Sequence, residues 1–229
     1  MASISVIIPT FNEAETIERL ITHLLSFQGP TLEILVIDGE STDHTMDIAS
    51  TAGAEVYLAP EKGRALQMNF GASRAKGEIL YFVHADCLPP HSFMKDINDA
   101  VDNGFDLGRY RTKFMSSKWL LKINEFFTRF DWFICYGGDQ TMFIKKDLFE
   151  ASGGFDEGMQ IMEDYDFVER ARKLGRYKIM EGDVLVSARK YDNNSWLEVL
   201  KANSTIVKMY RKKASQAKMV DAYKQLLRN

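Results

Sequence analysis

The stretch Glu78-Ile79-Leu80-Tyr81-Phe82-Val83-His84-Ala85-Asp86 decides how the fold is interpreted. It is mostly apolar and aromatic, it follows Gly77, and Pro89-Pro90 closes it, which predicts a central strand covered on both faces. Open α/β sheets bind ligands at the carboxyl ends of their strands. Asp86 is therefore a candidate ligand for a metal ion that faces a phosphate group. Because aspartate is also a common turn residue, a structural role before Pro89 is the alternative.

Strand and helix signals alternate through the first half of the chain. Apolar runs predict strands at residues 4–8, 32–37 and 55–58. Helices are predicted after the capping-box-like pair Asn12 and Glu15, from the N-cap candidates at residues 41–43 to near Gly53, and over residues 63–75. The first helix has an apolar stripe of Ile17, Leu20, Ile21, Leu24 and Leu25, and Gly29-Pro30 should end it. Along one side of the third helix lie Leu66, Phe70 and Ser73. This alternation predicts an α/β fold with a mostly parallel, Rossmann-like sheet flanked by helices.

The second half is less regular. Its patterns predict a helix over 90–101, a strand over 105–114 and an aromatic-rich helix over 119–134, followed by a helix over 162–174, two short strands and a helical segment from Ser195. In the strand, Arg109, Arg111 and Lys113 should alternate to one face. The aromatic helix is interpreted as amphipathic and core-facing, with an acceptor-binding or membrane-facing wall as the alternative.

Composition limits the classes of protein to consider. The chain has 229 residues, 45% hydrophobic and 27% charged, which predicts a packed core. A net charge of −3 argues against a nucleic-acid partner. The two cysteines, Cys87 and Cys135, are too few for a disulfide framework or a cysteine zinc cluster. The start of the chain does not resemble a signal peptide and no window of 18 uncharged apolar residues occurs, so we expect a cytoplasmic protein, with peripheral contact at the inner face of a membrane left open.

Carboxylates mark several predicted turns. Glu13, Asp38 and Asp86 lie in or after first-half strand ends, and the pair Glu163-Asp164 opens a later helix. Transfer of a sugar from a nucleotide sugar needs such a set, because hard oxygen ligands hold Mg²⁺ or Mn²⁺ against a diphosphate. A further carboxylate can take the proton from an acceptor hydroxyl.

Several motifs follow one another along the chain: Val6-Ile7-Ile8-Pro9-Thr10-Phe11-Asn12-Glu13, the segment 38–45, the segment 62–71, His84-Ala85-Asp86, and Gly153-Gly154-Phe155-Asp156 followed by Met162-Glu163-Asp164-Tyr165-Asp166. Together they resemble family 2 glycosyltransferases, which have the GT-A fold. The match runs from about residue 3 to 175. Gly138-Asp139-Gln140 and Ser187-Ala188-Arg189 resemble a small bacterial and archaeal subfamily with no long membrane tail.

The resemblance implies a role for individual residues. Thr10, Glu13 and Asp38 match positions that hold the nucleoside, and Ala85 and Asp139 are expected in the same nucleotide-sugar site. Arg64, or its neighbour Lys62, matches the basic position near the base and phosphates. Asp86 matches the metal ligand, and Asp164 matches the catalytic base of an inverting reaction. The expected cofactor is Mn²⁺ or Mg²⁺.

Two positions are left open by the resemblance. The family has Asp-x-Asp where this chain has His84-Ala85-Asp86, so His84 either ligates metal as a neutral imidazole or hydrogen-bonds the nucleotide. Arg189 either binds the diphosphate or pairs with Asp183.

The resulting hypothesis is one domain with a nucleotide-sugar-binding half (1–103), an acceptor and catalytic half (104–194) and a C-terminal helical segment (195–229). Its partners would be a nucleotide-diphosphate sugar and an acceptor that the sequence does not specify, whether saccharide, lipid-linked or small molecule. The lysines after Lys208 are interpreted as a solvated helix face, with anionic lipid as the alternative contact. The competing hypotheses are a sugar-1-phosphate nucleotidyltransferase and a non-catalytic sugar-nucleotide-binding protein. A dinucleotide oxidoreductase is disfavoured because no Gly-x-Gly-x-x-Gly follows a strand.

Overall fold

The computed structural model of the chain describes residues 1–27, 32–136 and 140–228. Within them, eight strands form one sheet: β1 (Ile4–Thr10), β2 (Leu32–Asp38), β3 (Glu55–Leu58), β4 (Ile79–Phe82), β5 (Cys87–Leu88), β6 (Leu107–Phe114), β7 (Met142–Lys145) and β8 (Tyr177–Val186). The helices are α1 (Ile17–Leu25), α2 (Thr45–Thr51), α3 (Arg64–Arg74), α4 (Phe93–Asp102), α5 (Leu121–Phe127), α6 (Lys146–Ala151), α7 (Glu163–Ala171), α8 (Trp196–Arg211) and α9 (Gln216–Leu226). Short 3₁₀ helices cover Phe133–Cys135 and Arg189–Tyr191.

The sheet has the order β3-β2-β1-β4-β7-β6-β8-β5. The first four strands in this order are parallel, as the alternation of strands and helices predicts. Beyond β4 the pairing changes, because β7 is antiparallel to both β4 and β6, and β5 is antiparallel to β8. The α/β fold with helices on both sides of a central sheet is confirmed. The parallel character belongs mainly to its first half.

Apolar side chains of alternate strand residues feed two core layers. Ile4, Val6 and Ile8 of β1 pack on one side of the sheet with residues of α1 and α4, such as Leu20 and Phe93. On the other side Ile7 packs with residues of α3, α6 and α7, including Met68, Phe149 and Phe167. All seven residues of β1 are buried, which fits a strand covered on both faces.

Two helix predictions of the first half are corrected. Asn12 does not cap α1, since it has a positive φ of 55° and its side-chain oxygen accepts a hydrogen bond from Thr42 N at 2.8 Å. The buried side of α3 is formed by Ala65, Gln67, Met68, Gly71 and Ala72, not by Leu66, Phe70 and Ser73. Small residues face the sheet because α3 approaches it closely, and a Cβ at Gly71 would lie 2.5 Å from Ile7 Cγ2. The predicted helix end at Gly29-Pro30 falls outside the described residues.

Arg109 explains two further differences from the predicted pattern. A bulge between Arg109 and Arg111 breaks the expected alternation of β6, and the Arg109 side chain is buried. Its guanidinium donates to the carbonyl oxygens of Thr128 at 2.8 Å and Phe130 at 3.2 Å. A cation there satisfies carbonyl oxygens at and just beyond the C-terminal end of α5. The predicted helix over 119–134 accordingly reduces to α5, which ends at Phe127.

The C-terminal part also departs from the prediction. A single ten-residue strand, β8, replaces the two short strands. The helical segment divides into α8, which begins with a capping box of Ser195 and Glu198, and α9. The break contains Lys213, whose φ is 55°. No helix within the described residues is long and apolar enough to cross a membrane.

Candidate functional site

Thr10 and Asp38 end the neighbouring parallel strands β1 and β2 in the same register. Thr10 Oγ1 donates a hydrogen bond to Asp38 Oδ2 at 3.0 Å. Ser41 N and Ser41 Oγ donate to the same carboxylate at 2.7 and 2.6 Å. Asp38 is buried, and these bonds fix the position of its two carboxyl oxygens at the sheet edge. The sequence-predicted neighbours Thr10 and Asp38 are thus in direct contact.

Gln67 and Ser41 connect the loops that leave these strands, and the sequence analysis assigned neither of them a role in the site. Gln67 Nε2 donates to the carbonyl oxygens of Thr10 and Ile37, both at 2.8 Å. Asn12 N donates to Ser41 Oγ at 2.8 Å. The spacing of Ser41 three residues after Asp38 is a recognisable turn signal. Nothing in the sequence signals Gln67, because its partners are backbone atoms of two distant strands.

Arg189 joins two more of the predicted residues. Its Nη2 lies 2.9 Å from Glu13 Oε2 and 3.4 Å from Asp86 Oδ2. Arg189 therefore pairs with Glu13 and Asp86 and not with Asp183, which was the alternative. Burial alone would lower the pKa of the Arg189 guanidinium, but the hydrogen bond with Glu13 and the charges of Glu13 and Asp86 outweigh it and raise the pKa. A permanent cation therefore lies between these two carboxylates.

The turn that carries Asp86 is held by backbone bonds on both sides. Val83 N donates to Ile7 O at 3.0 Å, and Ser187 N donates to Asp86 O at 3.1 Å. Ala85 is buried within this turn, and His84 is partly buried, its carbonyl accepting from Cys87 N. Asp86 thus follows the end of β4 on a fixed backbone, while its carboxylate is partly exposed.

The two candidate basic residues lie in different places. Lys62 Nζ is 3.0 Å from Glu40 Oε2 and 5.7 Å from the centre of the exposed Phe11 ring, so it is beside the Thr10 and Asp38 loops. Arg64 starts α3, and its Nε pairs with Glu163 Oε1. The Glu163 side chain is 1% exposed, so this pair ties the start of α3 to the start of α7.

Asp164 lines a cavity of about 480 Å³. The cavity lies among α5, the start of α7 and α8, and its walls also contain Arg64, Gln140, Glu163, Lys190 and Tyr191. Because Lys190 follows Arg189 directly, the cavity is adjacent to the cluster of Glu13, Arg189 and Asp86. Asp164 lies in the first turn of α7, where the helix dipole favours a negative charge.

The structure separates the candidate residues that it describes into two groups. Thr10, Glu13, Asp38, Ala85 and Asp86 lie at the sheet edge, whereas Arg64 and Asp164 line the cavity. Asp139 lies outside the described residues.

A divalent cation is compatible with this edge, although the described residues contain no group of three His, Cys, Asp or Glu side chains placed to hold a metal ion. Mg²⁺ is commonly held by one or two carboxylates, with waters and substrate phosphates completing its shell. Asp86 offers a hard oxygen ligand, and it already faces the positive charge of Arg189. The donor set therefore fits a cation that a diphosphate would help to bind.

Comparisons with known proteins show the family to which this sequence is similar. The family model described as Glycosyl transferase family 2 matches residues 5–155. A dolichol-phosphate mannosyltransferase from Pyrococcus furiosus is 31% identical over 110 residues, which are 45% of this chain and 31% of that protein. Two other curated relatives are covered over 37% and 30% of their length. This chain thus spans about a third of the length of these relatives.

Solved structures are similar over nearly the whole chain. The fragment 1–349 of S. aureus TarS in complex with UDP-GlcNAc has a TM-score of 0.69 at 18% identity, covering 98% of this chain and 71% of that fragment. A mannosyltransferase from Pyrobaculum calidifontis in complex with GDP-Man and Mn²⁺ has a TM-score of 0.67 at 18% identity, covering 98% of this chain and 70% of the other. These likenesses show the GT-A fold.

Proposed function

Because this chain belongs to glycosyltransferase family 2, we propose that it transfers a sugar from a nucleotide-diphosphate sugar to an acceptor hydroxyl with inversion at the anomeric carbon. One observation carries the proposal. Arg189 contacts Glu13 and Asp86 at the sheet edge, and the next residue, Lys190, lines the cavity that contains Asp164. A donor site at the edge and an acceptor site in the cavity would therefore share a border. We also propose that the chain acts as one domain, because β6, β7 and β8 extend the sheet of the first half.

The nucleoside would bind where β1 and β2 end. Asp38 and Thr10 supply fixed polar groups there, with Glu13 at the adjacent edge and Ala85 in the turn before Asp86. Lys62 and the exposed ring of Phe11 lie beside these groups, so Lys62 suits the basic position near the base better than Arg64 does. We keep Asp139 as a proposed donor contact from the resemblance alone.

The diphosphate would bind between Asp86 and Arg189. A divalent cation held by Asp86 would supply positive charge to the leaving diphosphate. Arg189 can move from Asp86 to a phosphate oxygen, because a planar guanidinium pairs equally well with both kinds of anion.

The acceptor hydroxyl would be activated in the cavity. Asp164 takes the hydroxyl proton as the hydroxyl oxygen bonds to the anomeric carbon from the face opposite the leaving group. The bond from that carbon to the β-phosphate oxygen breaks, and its electron pair leaves with the nucleoside diphosphate. Among the described residues, Gln140 Oε1 and Glu163 Oε2 are buried and accept no hydrogen bond, and both residues line the cavity. They would accept hydrogen bonds from other polar groups of the acceptor.

A panel of nucleotide sugars tests the donor assignment. We expect slow hydrolysis of one donor in the presence of Mn²⁺ or Mg²⁺, and a raised melting temperature with the matching nucleoside diphosphate. Binding without hydrolysis in any metal would favour a non-catalytic sugar-nucleotide-binding protein. Release of pyrophosphate from a nucleoside triphosphate and a sugar phosphate would favour a nucleotidyltransferase.

The variant Asp164→Asn tests the base. Turnover should fall by roughly 10²–10⁴-fold, the usual cost of losing a general base, while the affinity for the donor stays near normal. Glu169→Gln is the matched control, since Glu169 is exposed on the same helix. Wild-type turnover of Asp164→Asn would move the base to another carboxylate, and Glu163 and Asp139 would be tested first.

A further inference from the structure

Large apolar side chains are exposed on one surface of the protein. Among the described residues, six of the eleven exposed large apolar side chains belong to α5, α8 and the segments next to α5. We call this surface the α5–α8 face; its apolar members are Trp119, Phe126, Phe127, Trp132, Leu197 and Leu200, which are 40–69% exposed. An exposed patch of this kind usually marks an interaction site.

The two helices form a continuous surface because they pack against each other. Trp196 Nε1 donates to Asn124 Oδ1 at 3.1 Å, and Asn124 Nδ2 donates to the Tyr191 hydroxyl at 3.1 Å. Below these bonds, Leu121 of α5 shares a buried cluster with Val199 of α8. The exposed apolar residues of both helices are therefore held on a common rigid support.

Charge on this face is biased toward cations. Lys122, Arg129 and Lys201 are exposed on it. Residues 119–132 and 196–211 together contain five basic side chains and three acidic ones, a net charge of +2 in a chain whose net charge is −3. The acidic residues are Glu125, which accepts a hydrogen bond from Phe114 N, Asp131, which pairs with Arg172, and Glu198, which is part of the α8 capping box. The cationic bias is therefore local to these segments.

The cavity opens on the same face. Phe127, Trp132 and Leu200 are exposed on the face and also line the cavity. Ile161, Met162, Ile206 and Val207, which are buried or partly buried, line the same cavity as Asp164. An apolar chain that enters from the face would thus contact apolar side chains of the wall, and its polar end would lie near the carboxylate.

We propose that the α5–α8 face binds an anionic bilayer surface, and that the cavity takes from it a lipid acceptor whose hydroxyl reaches Asp164. Exposed Trp, Phe and Leu beside Lys and Arg are the combination that inserts into the headgroup region of anionic membranes. A protein partner fits less well, because lysine is depleted from protein–protein interfaces. The part that concerns the acceptor rests on the proposed transferase function. Membrane binding does not.

Tryptophan fluorescence measures insertion directly. The chain has three tryptophans, Trp119, Trp132 and Trp196, and all of them lie on α5, α8 or the segments flanking α5. In vesicles of brominated phosphatidylcholine and phosphatidylglycerol, we expect quenching of their emission, and weaker quenching without the anionic lipid or at high salt. Unquenched emission, or the same quenching in vesicles without anionic lipid, would overturn the proposal.

Two variants distinguish a specific membrane-binding face from nonspecific adsorption of the protein to vesicles. Phe126→Ser should lower partitioning into these vesicles roughly tenfold, because the exposed half of the phenylalanine side chain is no longer available for transfer from water into the bilayer. Leu58→Ser, which removes an apolar side chain of similar exposure from β3 at the opposite end of the sheet, should leave partitioning unchanged. Equal effects of the two variants would refute a specific membrane-binding face.

The cavity is tested with a brominated fatty alcohol, ω-bromoundecanol, and no donor. In the variant Trp119→Phe/Trp196→Phe only the cavity residue Trp132 fluoresces, and we expect saturable quenching. Adding Leu200→Lys, at the cavity mouth, should abolish it, whereas Leu197→Lys, on the same face but not lining the cavity, should not. Absent quenching, or equal behaviour of the two lysine variants, would refute the lipid site. Because neither experiment uses a nucleotide, their failure is distinct from failure of donor hydrolysis.

Discussion

Replacing Arg189 by methionine is expected to change the affinities for Mn²⁺ and for a nucleoside diphosphate in opposite directions. Without nucleotide, Mn²⁺ at Asp86 has to replace a guanidinium whose Nη2 lies 3.4 Å from Asp86 Oδ2. The Arg189 side chain is 46% exposed, so water screens the pair, and at this distance the interaction is about 1 kcal/mol. Mn²⁺ should therefore bind Arg189→Met roughly fivefold more tightly than it binds the wild type.

With a nucleoside diphosphate present the sign reverses. The wild-type guanidinium can donate to a phosphate oxygen, and a hydrogen bond between charged groups contributes about 1.5–3 kcal/mol. The exposure of Arg189 places the loss near the lower value, so the diphosphate should bind the variant about tenfold more weakly.

Two calorimetric titrations check this prediction, one with Mn²⁺ alone and one with UDP or GDP at saturating Mn²⁺. Arg172→Met is the control, because it removes another arginine–carboxylate pair, with Asp131, and should change neither affinity. The reasoning would be refuted if Arg189→Met lowered both affinities, since the arginine would then support metal binding rather than compete with it.

Three further substitutions test the site and its support. Asp38→Ala should weaken binding of a nucleoside diphosphate about tenfold or more, with or without metal, because a buried charged hydrogen-bond acceptor is lost; equal affinities in calorimetry would contradict its role. Arg64→Met should lower the free energy of unfolding in urea by about 3 kcal/mol, because it leaves the Glu163 carboxylate buried without its partner. The double variant Arg64→Met/Glu163→Met should recover most of this loss. Equally large losses in the single and double variants would argue against the pair. For Asp106, burial alone would raise the carboxyl pKa, but hydrogen bonds from Lys145 and from the Arg176 amide outweigh burial and lower the pKa. The ionised Asp106 therefore stabilises the protein above about pH 4, and this contribution disappears as the pH falls through the folded-state pKa. Asp106→Asn should therefore cost about 1 kcal/mol at neutral pH and nothing in acid, and a pH-independent difference would show that the charge is not responsible.

The sheet edge with Thr10 and Asp38 could be predicted from the sequence because its geometry is local. Apolar runs end at Thr10 and Asp38, and parallel strands bring their carboxyl ends to one edge, so their contact at 3.0 Å follows from the strand pattern. Asp86 follows from the same rule.

Arg189 could be singled out but its partners could not be chosen. It lies 176 residues from Glu13 in the chain, and its position depends on the pairing of β8 with β5 and β6. No short-range pattern encodes a pairing between such distant segments. Asp183, one of the two alternatives left open for Arg189, lies in β8 in register with Arg111.

Side-chain competition for backbone carbonyls explains the largest error. The apolar pattern over 119–134 does favour a helix, but the buried Arg109 guanidinium binds the carbonyl oxygens of Thr128 and Phe130. A helix continuing through these residues would need the same oxygens for its own hydrogen bonds. The long-range contact prevails, and the chain turns after Phe127.

The separation between the sheet edge and the cavity has an evolutionary consequence. The edge is built mainly by residues 10–86, whereas nearly all of the cavity wall comes from residues after 111. Substitutions in α5 and α8 can therefore accumulate and reshape the cavity while the strand ends keep their structure. Under the proposed function, descendants of such a chain could keep one donor and diverge in acceptor. Arg64 is the exception, because it begins α3, pairs with Glu163 and lines the cavity. A substitution of Arg64 would therefore alter both the first half of the fold and the cavity wall.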